Sequence, residues 1–434
     1  MKYRFGTDGI RGEAGKTVDA ACAYLLGRAL GEDGNVVVVG RDPRISGESL
    51  QGILQYGVAS VGGQALNLGV APTNAVSYFT REFGADYGVM ISASHNPPQD
   101  NGLKVFDAFG LKLCPQKERV LELRMEEDVY VSGERRLGLF AQKGILSRYA
   151  DVLLKDFPGD LQGLHLLADC CFGSAAGLAE EIFCRTGAEI TCFNNVPDGQ
   201  RINVSCGATH PLYLKAQGKG FDLGFSFDGD ADRCVVLQGE RILDDNRVFY
   251  AIAKYLKKHG LLCGPGVVGT VLTNGGAERA LQTQGLALFR ANVGDRNVFA
   301  EACAKGCNFG GEASGHYLFC DRFSCSDGIY TALMVSRIYR DEGDLFAFTE
   351  EYERIPGVSR TVEVSAEKRE EMERKRLFET WTKHLRARFG IERLFVRPSG
   401  TEAKVRIYVE SPCRQTNLEA AEYAESLVRR EAVL

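Results

Sequence analysis

The sequence predicts an α/β protein of three successive, similar α/β domains followed by a smaller C-terminal α+β domain. Three observations carry this prediction. Continuous apolar runs ending at Gly, Ser or Asp, such as Asn35-Val-Val-Val-Val-Gly40, Asp86-Tyr-Gly-Val-Met-Ile-Ser92 and Leu164-His-Leu-Leu-Ala-Asp169, alternate with helical stretches, as parallel strands buried on both faces do. From Pro356 onward the long buried runs stop, and alternating strands with charged helices take over. A chain of 434 residues is also longer than one hydrophobic core supports.

In chain order, Phe5-Gly-Thr-Asp-Gly-Ile-Arg-Gly12 is either a tight turn or a segment that brings backbone N–H groups and Arg11 to an anion. An amphipathic helix over Ala20–Leu30 precedes strand Asn35–Gly40; Ser46 is expected to cap the next helix, with Glu48 in its first turn. Strand Ala65–Gly69 and helix Thr73–Phe79 lead to strand Asp86–Ser92, which delivers Ser94 at its carboxyl end, where α/β ligand loops lie. Val105–Leu113 returns as a strand or hairpin, and helices Pro115–Met125 and Ile145–Phe157 close the first domain.

The linker Pro158–Gly163 opens the second domain, with strand Leu164–Asp169, helix Ala175–Thr186, strand Ala188–Phe193, a Gly/Asn/Pro-rich loop Val196–His210, helix Leu212–Gln217 and strand Phe221–Phe227. After a boundary near Gly239–Asp244 the rhythm repeats as helix 247–258, strand 266–272, helix 276–283 and strand 286–290. The last part contains alternating Thr361–Ser365, one charged helix over Ala366–Phe389, strands Arg393–Arg397 and Ala403–Glu410, and helix Asn417–Arg430. The expected domains are therefore 1–158, 159–240, 241–355 and 356–434.

The formal charge of -5 offers no electrostatic basis for a nucleic-acid or anionic-membrane partner and favours a small-molecule substrate. There is no signal-peptide-like or bilayer-length apolar run, so a cytoplasmic protein is expected. The 14 cysteines are scattered and often flanked by apolar residues, which reads as free core thiols rather than a disulfide framework. Cys303 and Cys307 have a metal-like spacing, but no second tight pair faces them.

Four loops carry chemistry. Ile91-Ser-Ala-Ser-His-Asn-Pro97 presents a hydroxyl, Ser94, that can receive or give up a phosphoryl group if cationic groups neutralise the oxygens. Asp228-Gly-Asp-Ala-Asp-Arg233 crowds Asp228, Asp230 and Asp232, which repel unless a hard cation such as Mg2+ compensates; the twelve-position EF-hand pattern is absent. In Gly310-Gly-Glu-Ala-Ser-Gly-His316, Glu312 and Ser314 suit vicinal hydroxyls and His316 suits proton exchange. Arg397-Pro-Ser-Gly-Thr-Glu402 with Arg406 offers guanidinium, hydroxyl and backbone donors to an anion through Arg397, Ser399, Gly400 and Thr401, and it is not a Walker A loop. The set implies phosphoryl transfer on a polyhydroxylated anionic substrate.

These four loops, in this order and on four successive domains, resemble the signature loops of the α-D-phosphohexomutases over essentially the whole chain. The opening Phe5–Gly12, Pro197-Asp-Gly199 with Ile202-Asn-Val-Ser-Cys-Gly207, and Val293-Gly-Asp-Arg296 resemble the bacterial branch that acts on glucosamine phosphates. The resemblance implies mixed sheets around a central cleft, Ser94 carried as phosphoserine, and one Mg2+ per active site held by Ser94 with Asp228, Asp230 and Asp232. It further implies that Lys104 and Arg233 offset oxygen charge, that Lys104 or His316 handles the hydroxyl proton, and that Arg11 contributes to substrate binding. Glucosamine 6-phosphate and glucosamine 1-phosphate would interconvert through glucosamine 1,6-bisphosphate, which is an intermediate or activator. Either that bisphosphate or a kinase would charge Ser94, and the resemblance admits a homodimer. One departure is Ala313, where that branch usually has Gln; a small side chain there is expected to relax sugar selectivity. The rivals are phosphoglucomutase or phosphomannomutase activity, distinguished by sugar preference, a phosphatase, distinguished by phosphate release, and a non-enzymatic sugar-phosphate sensor, distinguished by binding without turnover.

Overall fold

The computed structural model describes residues 3–6, 8–127, 138–141, 144–157, 159, 161–217, 220–399 and 404–433. Its described strands, in chain order, are β1 (Ile10–Glu13), β2 (Val36–Arg41), β3 (Gln64–Val70), β4 (Tyr87–Ile91), β5 (Asp100–Asp107) and β6 (Gly138–Ala141). Next come β7 (His165–Asp169), β8 (Glu189–Phe193), β9 (Leu223–Phe227), β10 (Cys234–Gln238), β11 (Arg241–Ile242), β12 (Gly266–Thr270), β13 (Ala287–Ala291), β14 (Phe309–Gly311) and β15 (Tyr317–Phe319). β16 (Gly357–Glu363), β17 (Arg393–Pro398) and β18 (Lys404–Glu410) follow.

The first sheet runs β1-β5-β4-β2-β3-β6, the second β11-β10-β9-β7-β8, the third β13-β12-β14-β15 and the fourth β16-β18-β17. The first three share one plan. A first strand (β2, β7 or β12) lies between two parallel neighbours, and the later of these turns back into an antiparallel strand. Each repeat therefore contains β3/β8/β13 on one side, β4/β9/β14 on the other, and β5/β10/β15 returning beside the latter. The loops between the last two strands are residues 92–99, 228–233 and 312–316, which hold Ser94, the aspartate triplet and Glu312–His316. In this topology the order reverses between the first strand and its later parallel neighbour, the place where open α/β sheets hold ligands.

The first core forms because Val37, Val39, Val89, Ile91 and Leu103 project between the sheet and helices Ala20–Gly31 and Ile45–Ser60. Those two helices approach so closely that a Cβ on Gly27 would stand 2.1 Å from the Leu54 carbonyl oxygen, and one on Gly57 would stand 2.4 Å from that of Tyr24. The expected Ser46 cap does not form: the helix starts at Ile45, and the Ser46 hydroxyl accepts from Asn101 instead. Arg44 occupies the capping position without a side-chain cap, and the Asp42 carboxylate accepts from its N–H at 3.1 Å, which fixes the turn leading into the helix. The return strand begins at Asp100 rather than Val105, because its pairing with β4 extends back to Leu103 and its pairing with β1 back to Asp100.

The chain packs as two compact units, one comprising residues 1–273 with 281–350 and the other 274–280 with 351–434. The second unit holds the antiparallel fourth sheet and a core of Val362, Leu385, Leu394, Val405, Ile407 and Val428. The single helix expected over Ala366–Phe389 is two helices, Ala366–Arg374 and Leu377–Phe389, because Arg376 takes a left-handed φ of 53° that interrupts the ladder. Helices Asp295–Lys305 and Gly328–Glu342 were not individually expected. All 14 cysteines are free, as their dispersal predicts, but Cys114, Cys184, Cys263, Cys303 and Cys413 are exposed rather than in the core.

Candidate active site

Three loops of the first unit converge. Ser94 sits after β4 with φ 54°, an αL geometry that turns its side chain toward the second repeat. Its Oγ donates to Asp228 Oδ2 at 2.7 Å and lies 3.2 Å from His95 Nδ1. Gly229 follows Asp228 because a Cβ there would stand 2.7 Å from the Ser94 carbonyl oxygen. Asp228, Asp230 and Asp232 are all buried, and each presents an oxygen within 4.8 Å of the others.

Positive side chains surround the triplet. Lys104, on β5 and 1% exposed, reaches Asp230 at 2.5 Å, Asp232 at 3.3 Å and Asp8 at 3.4 Å. Thr73 donates to Asp230 from the amino end of helix Thr73–Glu82. His316 Nε2 lies 3.1 Å from Asp232 Oδ1, and its Nδ1 lies 3.0 Å from Ser314 Oγ and 3.5 Å from Glu312. Glu312 in turn accepts from the Gly294 N–H at 2.7 Å. Arg233 places Nε 3.8 Å from Asp228.

Charge follows from this packing. Burial, reinforced by Asp232 and Asp230, pushes the Asp228 carboxyl up to about 7. Burial also disfavours a charged Asp232, but Lys104 and His316 outweigh it and hold that carboxyl well below its ordinary range. Burial works against a charged His316, yet Asp232 lifts the imidazole to about 10. His95 moves the other way, to about 3, through burial and the nearby Arg233 and Arg11, and is neutral.

The donor set fits a divalent cation. Three carboxylates supply hard oxygen ligands, and Asp230 Oδ1 is buried with no hydrogen-bond partner. A cation there would give that oxygen the partner that protein groups do not.

Of the other residues expected from sequence, Arg11 ion-pairs with Asp8 and donates to the Ala93 carbonyl at 3.3 Å, so it braces the serine loop. Arg397 and Arg406 belong to the second unit, paired directly across β17 and β18. Ser399 there donates its N–H to Lys404 O at 2.8 Å. Gly400 and Thr401 lie outside the described residues. Sequence reasoning did not single out Asp8, Thr73, Lys112, Arg44 or Asn203. Lys112 bridges Asp8 at 2.6 Å and Asp295 at 2.8 Å, tying the first repeat to the third. Signals were present for three of them: Asp8 lies in the opening Phe5–Gly12 segment, Asn203 in Ile202–Gly207, and Arg44 follows the carboxyl end of a strand in Gly40-Arg-Asp-Pro-Arg44.

Repeated α/β layers carrying a serine loop, a carboxylate cluster and a Glu–His loop at equivalent positions define a phosphohexomutase architecture. Family models described as phosphoglucomutase/phosphomannomutase alpha/beta/alpha domain I, alpha/beta/alpha domain III and C-terminal domain match residues 2–130, 244–355 and 362–428. The chain is 39% identical to a phosphoglucosamine mutase of Thermotoga neapolitana, covering 97% of this chain and 98% of that one. It is 37% identical to a phosphoglucosamine mutase of a Thermoanaerobacter species, covering 99% and 100%. Among solved structures, a phosphoglucomutase/phosphomannomutase family protein of Burkholderia thailandensis superposes with a TM-score of 0.82 at 23% identity, covering 100% and 99%, a likeness of fold. Within the phosphoglucomutase/phosphomannomutase superfamily the chain belongs to the phosphoglucosamine mutases, which are isomerases.

Proposed function

We propose that the protein interconverts glucosamine 6-phosphate and glucosamine 1-phosphate, with Ser94 carrying the phosphoryl group that passes to and from the sugar. The observation that carries this reading is the Ser94 hydroxyl 2.7 Å from Asp228 inside a buried carboxylate triplet. Asp228, Asp230 and Asp232, with Ser94, would hold a divalent cation, for which Mg2+ is the choice best suited to oxygen ligands and phosphate. When bound, the cation supplies charge neutralisation to the phosphoryl oxygens.

The chain's own groups do the rest. Phosphorylated Ser94 gives its phosphoryl group to the free hydroxyl of the monophosphate: the bond from phosphorus to Oγ breaks and one to the sugar oxygen forms. The hydroxyl proton is assigned to Lys104 or His316, 3.3 and 3.1 Å from Asp232. Against the cost of burial, neighbouring carboxylates hold both protonated in the metal-free protein, so whichever of them serves must first release its own proton to solvent, as a cation neutralising those carboxylates would favour. The resulting glucosamine 1,6-bisphosphate reorients, and its other phosphoryl group returns to Ser94. Lys104 and Arg233 offset oxygen charge during transfer, while Glu312 and Ser314 read sugar hydroxyls and Arg11 aids substrate binding by bracing the serine loop. The non-reacting phosphate is assigned to Arg397, Ser399, Gly400, Thr401 and Arg406.

The test is a coupled assay with Mg2+, comparing glucosamine 6-phosphate with glucose 6-phosphate, each with a trace of its 1,6-bisphosphate. Preference for the amino sugar is expected. Preference for glucose would overturn the substrate assignment, keep the chemistry and implicate the exposed Ala313.

A further inference from the structure

Behind the serine loop lies a residue that touches neither the carboxylate triplet nor, on the reading above, the sugar. Arg44 is fully buried, and all its guanidinium nitrogens are engaged. Nε pairs with Asp42 at 2.9 Å; Nη1 donates to the carbonyl oxygens of Pro97 and, at 2.8 Å, Asp100; Nη2 donates to those of Ser94 at 2.9 Å and Asn96 at 2.7 Å. The ring closes through the carboxylate: Asp42 accepts from Ser92 Oγ at 2.6 Å, and Ser92 Oγ accepts from the Ser94 N–H at 2.8 Å. Both backbone polar groups of Ser94 are thus tied to the Asp42–Arg44 pair. Asn203, from the second repeat, adds donors to the Ser94 carbonyl at 2.8 Å and the Asn96 carbonyl at 3.1 Å.

Ser94 holds a left-handed φ of 54°, which a non-glycine residue keeps only when its surroundings over-determine it. Arg44 and Asn203 both bond the carbonyl oxygen that fixes the next peptide plane, so they hold the backbone from which Oγ projects toward Asp228. We propose that Arg44 is a positioning residue for Ser94, and that Asn203 is its auxiliary from the second repeat. The inference rests on Ser94 being the phosphoryl carrier. Arg44 acts through the geometry of its planar fork rather than through net charge, because Asp42 already neutralises it at 2.9 Å.

The decisive variant is Arg44→Lys, which keeps the charge and loses the fork. A displaced nucleophile lowers kcat by ten- to about a hundredfold, with KM for the sugar phosphate within about twofold of wild type. Phosphoserine formation from the bisphosphate, followed by intact-protein mass spectrometry, slows in the same proportion, while Mg2+ affinity is unchanged. Asn203→Ala is expected to lower kcat in the same direction by a smaller factor, and it carries the test alone if Arg44→Lys does not fold. Wild-type kcat in a folded Arg44→Lys, or a rise in KM at constant kcat, overturns the proposal; if only Asn203→Ala folds, the same results in that variant overturn it. Ser94→Ala separates the two levels. Retained activity in Ser94→Ala removes the underlying reading, whereas an inactive Ser94→Ala beside a fully active Arg44→Lys removes only the positioning role.

Discussion

Ser94 Oγ and Asp228 Oδ2, 134 positions apart in the chain, are joined by a 2.7 Å hydrogen bond. Each occupies the loop that follows the same strand of its repeat, β4 and β9. A shared strand plan thereby places a hydroxyl from one repeat against a carboxylate cluster from the next.

Asp228→Asn tests the metal side of that contact. The neutral amide relieves repulsion among three buried carboxylates, so the metal-free variant should melt no lower than wild type. Mg2+ affinity should fall on the order of tenfold or more, since ligand charge sets affinity at such sites. Thermal melts and calorimetric titration with Mg2+ check both.

Proton and metal compete at the same carboxylate. Burial and its acidic neighbours raise Asp228 to about 7 in the metal-free protein. Below that pH the site must shed a proton before binding, so affinity should drop about tenfold per pH unit there and level off above it. Calorimetry at neutral pH in buffers of different ionisation enthalpy should record proton release on binding. No release, with affinity flat between pH 6 and 8, would contradict the assignment.

Arg397 and Arg406 face each other across β17 and β18, an arrangement that an anion between them stabilises. Removing either, as Arg397→Ala or Arg406→Ala, should raise KM for the sugar phosphate roughly tenfold or more. Phosphorylation of Ser94 by a bisphosphate added in excess should still reach completion.

Glu410 organises the second unit. Its buried carboxylate accepts from Gly275 N at 2.8 Å, Asn274 Nδ2 at 2.9 Å and Arg393 Nε at 2.6 Å, with Tyr408 as a further donor. Glu410→Ala leaves those donors unsatisfied and should cost about 3 kcal/mol. The chain's single tryptophan, Trp381, packs against this unit's core, so its fluorescence during urea denaturation reports that loss.

Much of the site was legible because its chemistry is local in sequence. Ser-His-Asn-Pro, the Asp-Gly-Asp-Ala-Asp run and Glu-Ala-Ser-Gly-His each announce their residue types within six positions or fewer, and strand periodicity assigns them to carboxyl ends. The break at Arg376 was not legible, since a continuous charged pattern over Ala366–Phe389 carries no mark of a left-handed residue. Ser46 misled because a good capping residue beside a helix start does not reveal that Asn101, 55 positions away, claims its hydroxyl.

By itself, then, the sequence determined the order of the α/β repeats, the identity of the loops and the class of reaction their residue types support, because periodicity and motif spacing are short-range properties. Tertiary structure alone decided that Thr73 and Asp8 join Lys104 around the aspartates, and that Arg44 and Asn203 grip the back of Ser94. The raised carboxyl of Asp228 and the raised imidazole of His316 arise there too. Burial and the field of distant charges exist only once the chain has folded.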